Sequence, residues 1–246
     1  MPHSENALVR KLSNFIPLSP GELDCLAEIQ LKPEKVDAKT ELVHEGQTGH
    51  RAYILQAGWA YCYKMLPGGG QQVITFSVPG DFMGMRSILL RTSDHSFATL
   101  TDAEVSPIAV PRVIQVFNEF PRLGAALLWA VSRDEAIAVE HLVGLGRRSA
   151  IERVAHFFME LGQRLQLVGL ATESKFECPL NQYLLADALG LTAIHVNRVL
   201  RKLREKGLIT VREQHVVIDD VKGLIELAGY DSAYLDQPRP WIKLDS

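Results

Sequence analysis

The sequence predicts an α+β chain in three parts: an N-terminal β jelly roll, a long central helix and a C-terminal winged helix-turn-helix. Three observations carry that prediction. Short strand-like runs alternate with glycine turns from Val36 to Val110. The stretch Leu123 to Leu145 holds helical apolar spacing, with only Gly124 and Gly144 inside it. Residues 190–208, G-L-T-A-I-H-V-N-R-V-L-R-K-L-R-E-K-G-L, join a turn glycine, a helix cap, an apolar stripe and a basic outer face.

The β part follows a helical start, with Ser19-Pro20-Gly21-Glu22-Leu23 marking a helix N-terminus. After it, Ala52 to Leu55, Gln72 to Phe76 and Val105 to Val110 are strand-like. They are separated by Glu45-Gly46, Gly58, Gly68-Gly69-Gly70 and Pro79-Gly80. Strands recurring at about 10–15 residues suggest a sandwich or jelly roll. The triple glycine reads as the loop of a hairpin between Tyr61–Lys64 and Gln71–Phe76. No G-K-[ST] follows it, which argues against a phosphate loop.

Pro121 suits the first turn of the long helix. Along that helix Leu128, Val131, Glu135, Ala138, Leu142 and Leu145 follow a 3-4-3-4-3 spacing. That spacing is the seam of a two-stranded coiled coil, interrupted by Glu135. The seam predicts a homodimer. The alternative is a helix packed only on its own β domain.

In the C-terminal part, Leu184, Leu185, Ala188 and Leu189 recur at helical spacing and Gly190 stops the helix. Thr192 caps the next helix, and Val196, Val199, Leu200 and Leu203 give it one buried face. Thr192, Ala193, His195, Asn197, Arg198, Arg201 and Lys202 are the candidate contacts to double-stranded DNA. Arg198 has the geometry to pair with guanine, and Asn197 with adenine. The competing reading is a helical hairpin with a solvated basic face. Ile209-Thr210-Val211 and Val216-Val217-Ile218, separated by residues 212–215, form a hairpin where a wing would stand.

Charge supports the same division. Residues 147–206 carry 10 Lys/Arg and 6 Asp/Glu, whereas the whole chain has a formal net charge of −3. A basic island in an acidic chain is the footprint of local phosphate contact. No apolar run is long enough for a membrane span. The N-terminus M-P-H-S-E-N does not read as a secretory signal. The three cysteines, Cys25, Cys62 and Cys178, form no C-x-x-C pair. Together these predict a protein of a reducing cytoplasm.

A jelly roll, a long helix and a winged helix in this order resemble the cyclic-AMP receptor protein/fumarate-nitrate regulator (CRP/FNR) family of bacterial transcription factors. The resemblance runs from about Asn14 to Gly229. It rests on P-G-D-F-M-G at residues 79–84, L-G-R-R-S-A-I-E-R-V-A at 145–155 and the helix after Thr192. It implies a cyclic-nucleotide-binding-like effector domain over 14–120 and a dimerisation helix over 121–146. A DNA-binding domain would follow over 147–230, with an extension over 231–246. It also implies a homodimer on an inverted repeat, with RNA polymerase as partner and activation rather than repression as the outcome.

Departures limit what is inherited. Cyclic-AMP-binding members have a Glu after the glycine matching Gly84, and an Arg before a Ser ten residues further on. Here those positions are Met85, His95 and Ser96, so the effector-pocket candidates lack the ribose acceptor and the phosphate cation. Cyclic-AMP control is not expected, and another small-molecule effector stays open. A four-cysteine iron–sulfur cluster has too few cysteines. His44, His50, His95 and His141 are formal candidates for an axial haem ligand, though no cofactor is expected. Cys178 is a candidate redox thiol beside the helix-turn-helix, against the alternative of an inert buried one. Family members carry a Glu four residues before the Arg matching Arg198. Here it is Ile194, which cannot accept from cytosine but can touch a thymine methyl.

Two other classes compete with this reading: a ligand-binding regulatory module that leaves its winged helix unused, and an enzyme. The sequence has no metal-ligand spacing, no G-x-S-x-G and no paired carboxylates on a recognisable scaffold, so it is not expected to be an enzyme.

Overall fold

A computed structural model describes residues 6–49, 51–85 and 88–235. Two short helices, α1 (Ala7–Ser13) and α2 (Pro20–Ile29), precede the strands. α2 begins with a capping box: Ser19 Oγ accepts from Glu22 N, and Glu22 accepts from Ser19 N at 2.7 Å. That reciprocal pair satisfies two backbone donors that no helical turn can reach.

Eight strands follow: β1 (Glu34–Val36), β2 (Glu41–Val43), β3 (Ala52–Ala57), β4 (Ala60–Met65), β5 (Gln71–Ser77), β6 (Phe82–Met83), β7 (Ser96–Thr99) and β8 (Ala103–Ile108). They form two four-stranded sheets, ordered β1-β8-β3-β6 and β2-β7-β4-β5. Pairing of strands distant in sequence is the jelly-roll pattern the glycine spacing predicts. The triple glycine lies in the β4–β5 connection, as expected.

The strand read over Val105 to Val110 stops two residues short, and a helix absent from the sequence reading follows it. β8 ends at Ile108, and α3 (Val110–Glu119) starts with Pro111 in its first turn. The β-branched residues there mimic a strand, but Pro111 fits a helix N-terminus as well as it disfavours a central strand.

α4 runs without a break from Pro121 to Arg147, 27 residues. Then come α5 (Ala150–Leu167), β9 (Lys175–Glu177), α6 (Gln182–Leu189), α7 (Ala193–Glu205), β10 (Ile209–Arg212), β11 (His215–Ile218), α8 (Val221–Ala228) and a 3-10 turn at Ser232–Tyr234. Strands β10-β11-β9 make a third, antiparallel sheet. Trp241 and Ile242, in the predicted extension, lie outside the described residues, as does His50.

The chain divides into two compact units. Among the described residues, one contains 6–49, 51–64, 75–85 and 88–135, the other 65–74 and 136–235. In the first, Leu8, Leu12, Leu26, Ile54, Phe82, Val116 and Leu123 join the helices to one face of the roll in a single apolar cluster. Lys11, 1% exposed, sits in this unit with its Nζ 2.7 Å from Asp81 Oδ1 and 4.0 Å from Asp134 Oδ1. In the second unit, the loop of the β4–β5 hairpin belongs with the C-terminal helices. Gln71 Nε2 donates to Asp187 Oδ2 at 2.8 Å on α6, and Gln72 Nε2 to Ala188 O at 3.3 Å. No glycine count or strand period indicates that partnership.

Candidate nucleic-acid interface

Three local devices set α6 and α7 against each other. Asn181 Oδ1 accepts from the backbone N–H of Tyr183 and Leu184, both at 3.0 Å, and starts α6. Gly190 ends it in the left-handed region at φ +61°. A Cβ there would lie 3.0 Å from Leu145 Cδ2, so both backbone angle and space select glycine. Thr192 Oγ1 then accepts from His195 N at 3.2 Å and starts α7. These are the stop and cap that the sequence predicts.

α7 separates cleanly into two faces. Val196, Val199 and Leu203 are buried at 0%, 3% and 0% exposure, with Leu200 at their margin. Asn197, Arg198, Arg201 and Lys202 are exposed on the other side. Arg201 Nε lies 3.8 Å from Glu205 Oε1, a solvent-screened contact that leaves the guanidinium available. Of the other predicted contacts, Ala193 and His195 are only partly exposed, and the Thr192 hydroxyl is used by its cap. Ile194 was not in the predicted set, yet it is 74% exposed.

The wing is tighter than the sequence suggests. Arg212 pairs with His215, so the loop is only Glu213-Gln214, both at positive φ (48° and 62°). Two left-handed residues make the turn whose twist suits a hairpin. β9 adds a third strand through Val216↔Phe176, a strand too short to announce itself by alternation.

Arg153 organises the junction beneath α7. Its Nη1 donates to Leu189 O at 2.5 Å, at the end of α6. Its Nη2 donates to Leu145 O at 3.2 Å and Arg148 O at 3.0 Å, at the end of α4. One planar fork thus satisfies the orphan carbonyls of two helix C-termini. The residue lies in the motif 145–155, but spacing alone does not reveal this role.

Cys178 is 3% exposed, and burial pushes its thiol up to about 12. Thiolate formation is therefore disfavoured, and the redox reading gives way to that of a buried apolar side chain. On α4, Leu128 (60% exposed), Glu135, Ala138, Leu142 (69%) and Leu145 face outward, with Val131 half-buried. Leu123, Ala126, Ala130 and Ile137 are buried on the opposite side.

The four effector-pocket candidates occupy different surroundings. Gly84 has φ +75°, with room for a Cβ only 3.3 Å from Arg51 O. Met85 packs against the apolar cluster of the first unit. His95 is buried edge-on to Phe97, its Nδ1 2.5 Å from Asp94 Oδ1. Ser96 Oγ accepts from Glu45 N at 2.9 Å. Among the haem candidates, His44 Nδ1 is 3.0 Å from Glu41 Oε1. Both ring nitrogens of His141 are engaged, by Ile74 O and by Glu160, so neither offers a lone pair to iron. No cluster of three or more His, Cys, Asp or Glu suited to a metal occurs among the described residues. None of the described helices is long and apolar enough to cross a membrane.

Residues 152–227 match the Crp-like helix-turn-helix domain, and residues 33–120 the cyclic nucleotide-binding domain. The chain is 31% identical over 192 residues to the transcriptional activatory protein AadR of Rhodopseudomonas palustris, spanning 77% of this chain and 78% of AadR. It is 25% identical over 227 residues to an anaerobic regulatory protein of Haemophilus influenzae, spanning 92% and 88%. Its fold is similar to that of FixK2 from Bradyrhizobium japonicum, with a TM-score of 0.73 and 23% identity, covering 81% of this chain and 98% of that one.

Proposed function

The chain belongs to the CRP/FNR family of DNA-binding transcription regulators, and from that premise we propose that it works as a homodimer on an inverted-repeat operator. The exposed row Asn197, Arg198, Arg201 and Lys202, opposite a stripe buried at 0–3%, carries this reading. It is the arrangement of a helix seated in a major groove, with Arg198 pairing guanine and the other cations meeting phosphate.

The outward apolar row on α4 supports the dimer. Leucines at 60% and 69% exposure are expensive to leave in water and self-complementary across a two-fold axis. Two subunits would then present two α7 helices about 34–36 Å apart, one helical turn of DNA. The relatives named as activators, AadR among them, favour activation over repression, and RNA polymerase is the partner that activation would engage.

The β domain takes an effector other than a cyclic nucleotide, or none. Met85 supplies no acceptor for a ribose hydroxyl. His95 keeps a carboxylate 2.5 Å from its ring, which opposes a bound phosphate.

Selection of duplexes from a random library at fixed, near-physiological salt tests the reading. An enriched inverted repeat is the expected result. Sequence-independent, salt-sensitive binding, with and without candidate effectors, would overturn it in favour of a regulatory module that leaves the winged helix unused.

A further inference from the structure

We propose that Ile194 reads a thymine 5-methyl group in each half-site, next to the guanine read by Arg198. The inference rests on the DNA-reading role proposed for α7 and adds the base that an apolar side chain selects there.

Ile194 is the second residue of α7, two positions after its N-cap Thr192. N-terminal residues of a recognition helix are those that meet base edges. At 74% exposure it is the most exposed large apolar residue among those described, on a helix whose other apolar side chains are turned inward. Its neighbours one turn on, Asn197 and Arg198, and Arg201 beyond them, are exposed polar residues on the same face. The row is therefore basic and hydrogen-bonding along its length and purely apolar at its leading end.

An isoleucine offers no donor or acceptor. In the major groove it can be matched only by the one apolar group displayed there, the thymine methyl. Against any other base edge it would strip water from a polar atom without replacing the hydrogen bond. Position follows from geometry. Four residues of α-helix rise about 6 Å, less than two base steps of 3.4 Å each. The thymine should therefore lie within two base pairs of the Arg198 guanine.

The probe is the inverted-repeat duplex enriched by selection, with single thymines replaced by deoxyuridine, which removes only the methyl group. Loss of one apolar contact should weaken binding about fourfold when one half-site is changed, and about fifteenfold when both are. The effect should be confined to the thymine within two base pairs of the guanine that Arg198→Ala ceases to discriminate. Ile194→Ser should bind thymine and deoxyuridine duplexes equally, and Ile194→Val should retain the preference. An exposed site makes both variants foldable. Sequence-specific binding that is indifferent to deoxyuridine at every position would overturn this inference and leave the DNA-reading role standing. Absence of any sequence-specific binding would overturn both.

Discussion

His141 and Glu160 bind one another across two helices, with Nε2 3.0 Å from Glu160 Oε2, while Nδ1 of the same ring lies 3.1 Å from Ile74 O. Both partners are acceptors, so only the doubly protonated ring makes both bonds. The imidazolium thereby ties Ile74 of β5, α4 and α5 together within the C-terminal unit. Burial opposes a charge on His141, but the Glu160 carboxylate and the Ile74 carbonyl outweigh it and raise its pKa above the ordinary 6.5. Burial likewise pushes Glu160 up, and His141 with Arg164 more than offsets it, leaving its pKa lowered. Tyr234 donates its hydroxyl to the same Glu160 oxygen, Oε2, at 3.2 Å.

This network predicts a two-sided pH profile. His141 contributes stability that is complete below 6.5 and is lost as pH rises through its raised folded value. His156, in the same unit, behaves oppositely. Burial first, and then Arg148, depress it to about 4, so its contribution is lost as pH falls from 6.5 toward 4, about 3 kcal/mol in all. Glu160 adds to the acid loss below 4.5. Denaturant titrations from pH 4 to 9 should show both limbs. His141→Gln should flatten the alkaline limb and spare the acid one; an unchanged alkaline limb would remove His141 from the account.

Arg153→Lys should destabilise the C-terminal unit by about 1–3 kcal/mol, because a single ammonium cannot span carbonyls at the ends of both α4 and α6. Chemical denaturation measures this. Wild-type stability in the lysine variant would show that charge alone suffices.

Lys11→Met should cost about 3–5 kcal/mol at neutral pH by leaving Asp81 buried without its cation. The double variant Lys11→Met/Asp81→Asn should recover part of that loss. If the single variant melts like the parent, the ion pair is not what secures α1 to the roll.

Leu142→Glu puts like charges on the proposed seam and should give a monomer in sedimentation that no longer binds an inverted repeat cooperatively. A monodisperse dimer after this change would move the interface elsewhere.

Arg198→Ala should weaken operator binding by about 1–3 kcal/mol and relax selectivity at one base pair per half-site. Uniform weakening on all sequences would instead mark Arg198 as a phosphate contact.

Most of the α6–α7 unit was legible in the sequence, since its determinants are local. Gly190, Thr192 and the Val196/Val199/Leu203 stripe act within a few residues of themselves, and they stand where their spacing places them. The same locality misled where two structures share one local signal: the run Val105 to Val110 reads as one strand, but β8 stops at Ile108 and Val110 is the first residue of α3. α1 and β9 went unseen because short elements depend on partners far along the chain: Lys11 on Asp81, Phe176 on Val216.

By itself, the sequence determined the order of the parts, the caps and turns, and the basic outer face of α7. Each of these follows from backbone propensities and periodicities that neighbouring residues settle among themselves. Only the tertiary structure decided that Cys178 is a buried, protonated thiol, that His141 bridges Ile74 and Glu160, and that Arg153 joins two helix ends. Those properties depend on desolvation and on charges brought close by folding, and both arise between residues whose separation along the chain carries no signal of their meeting.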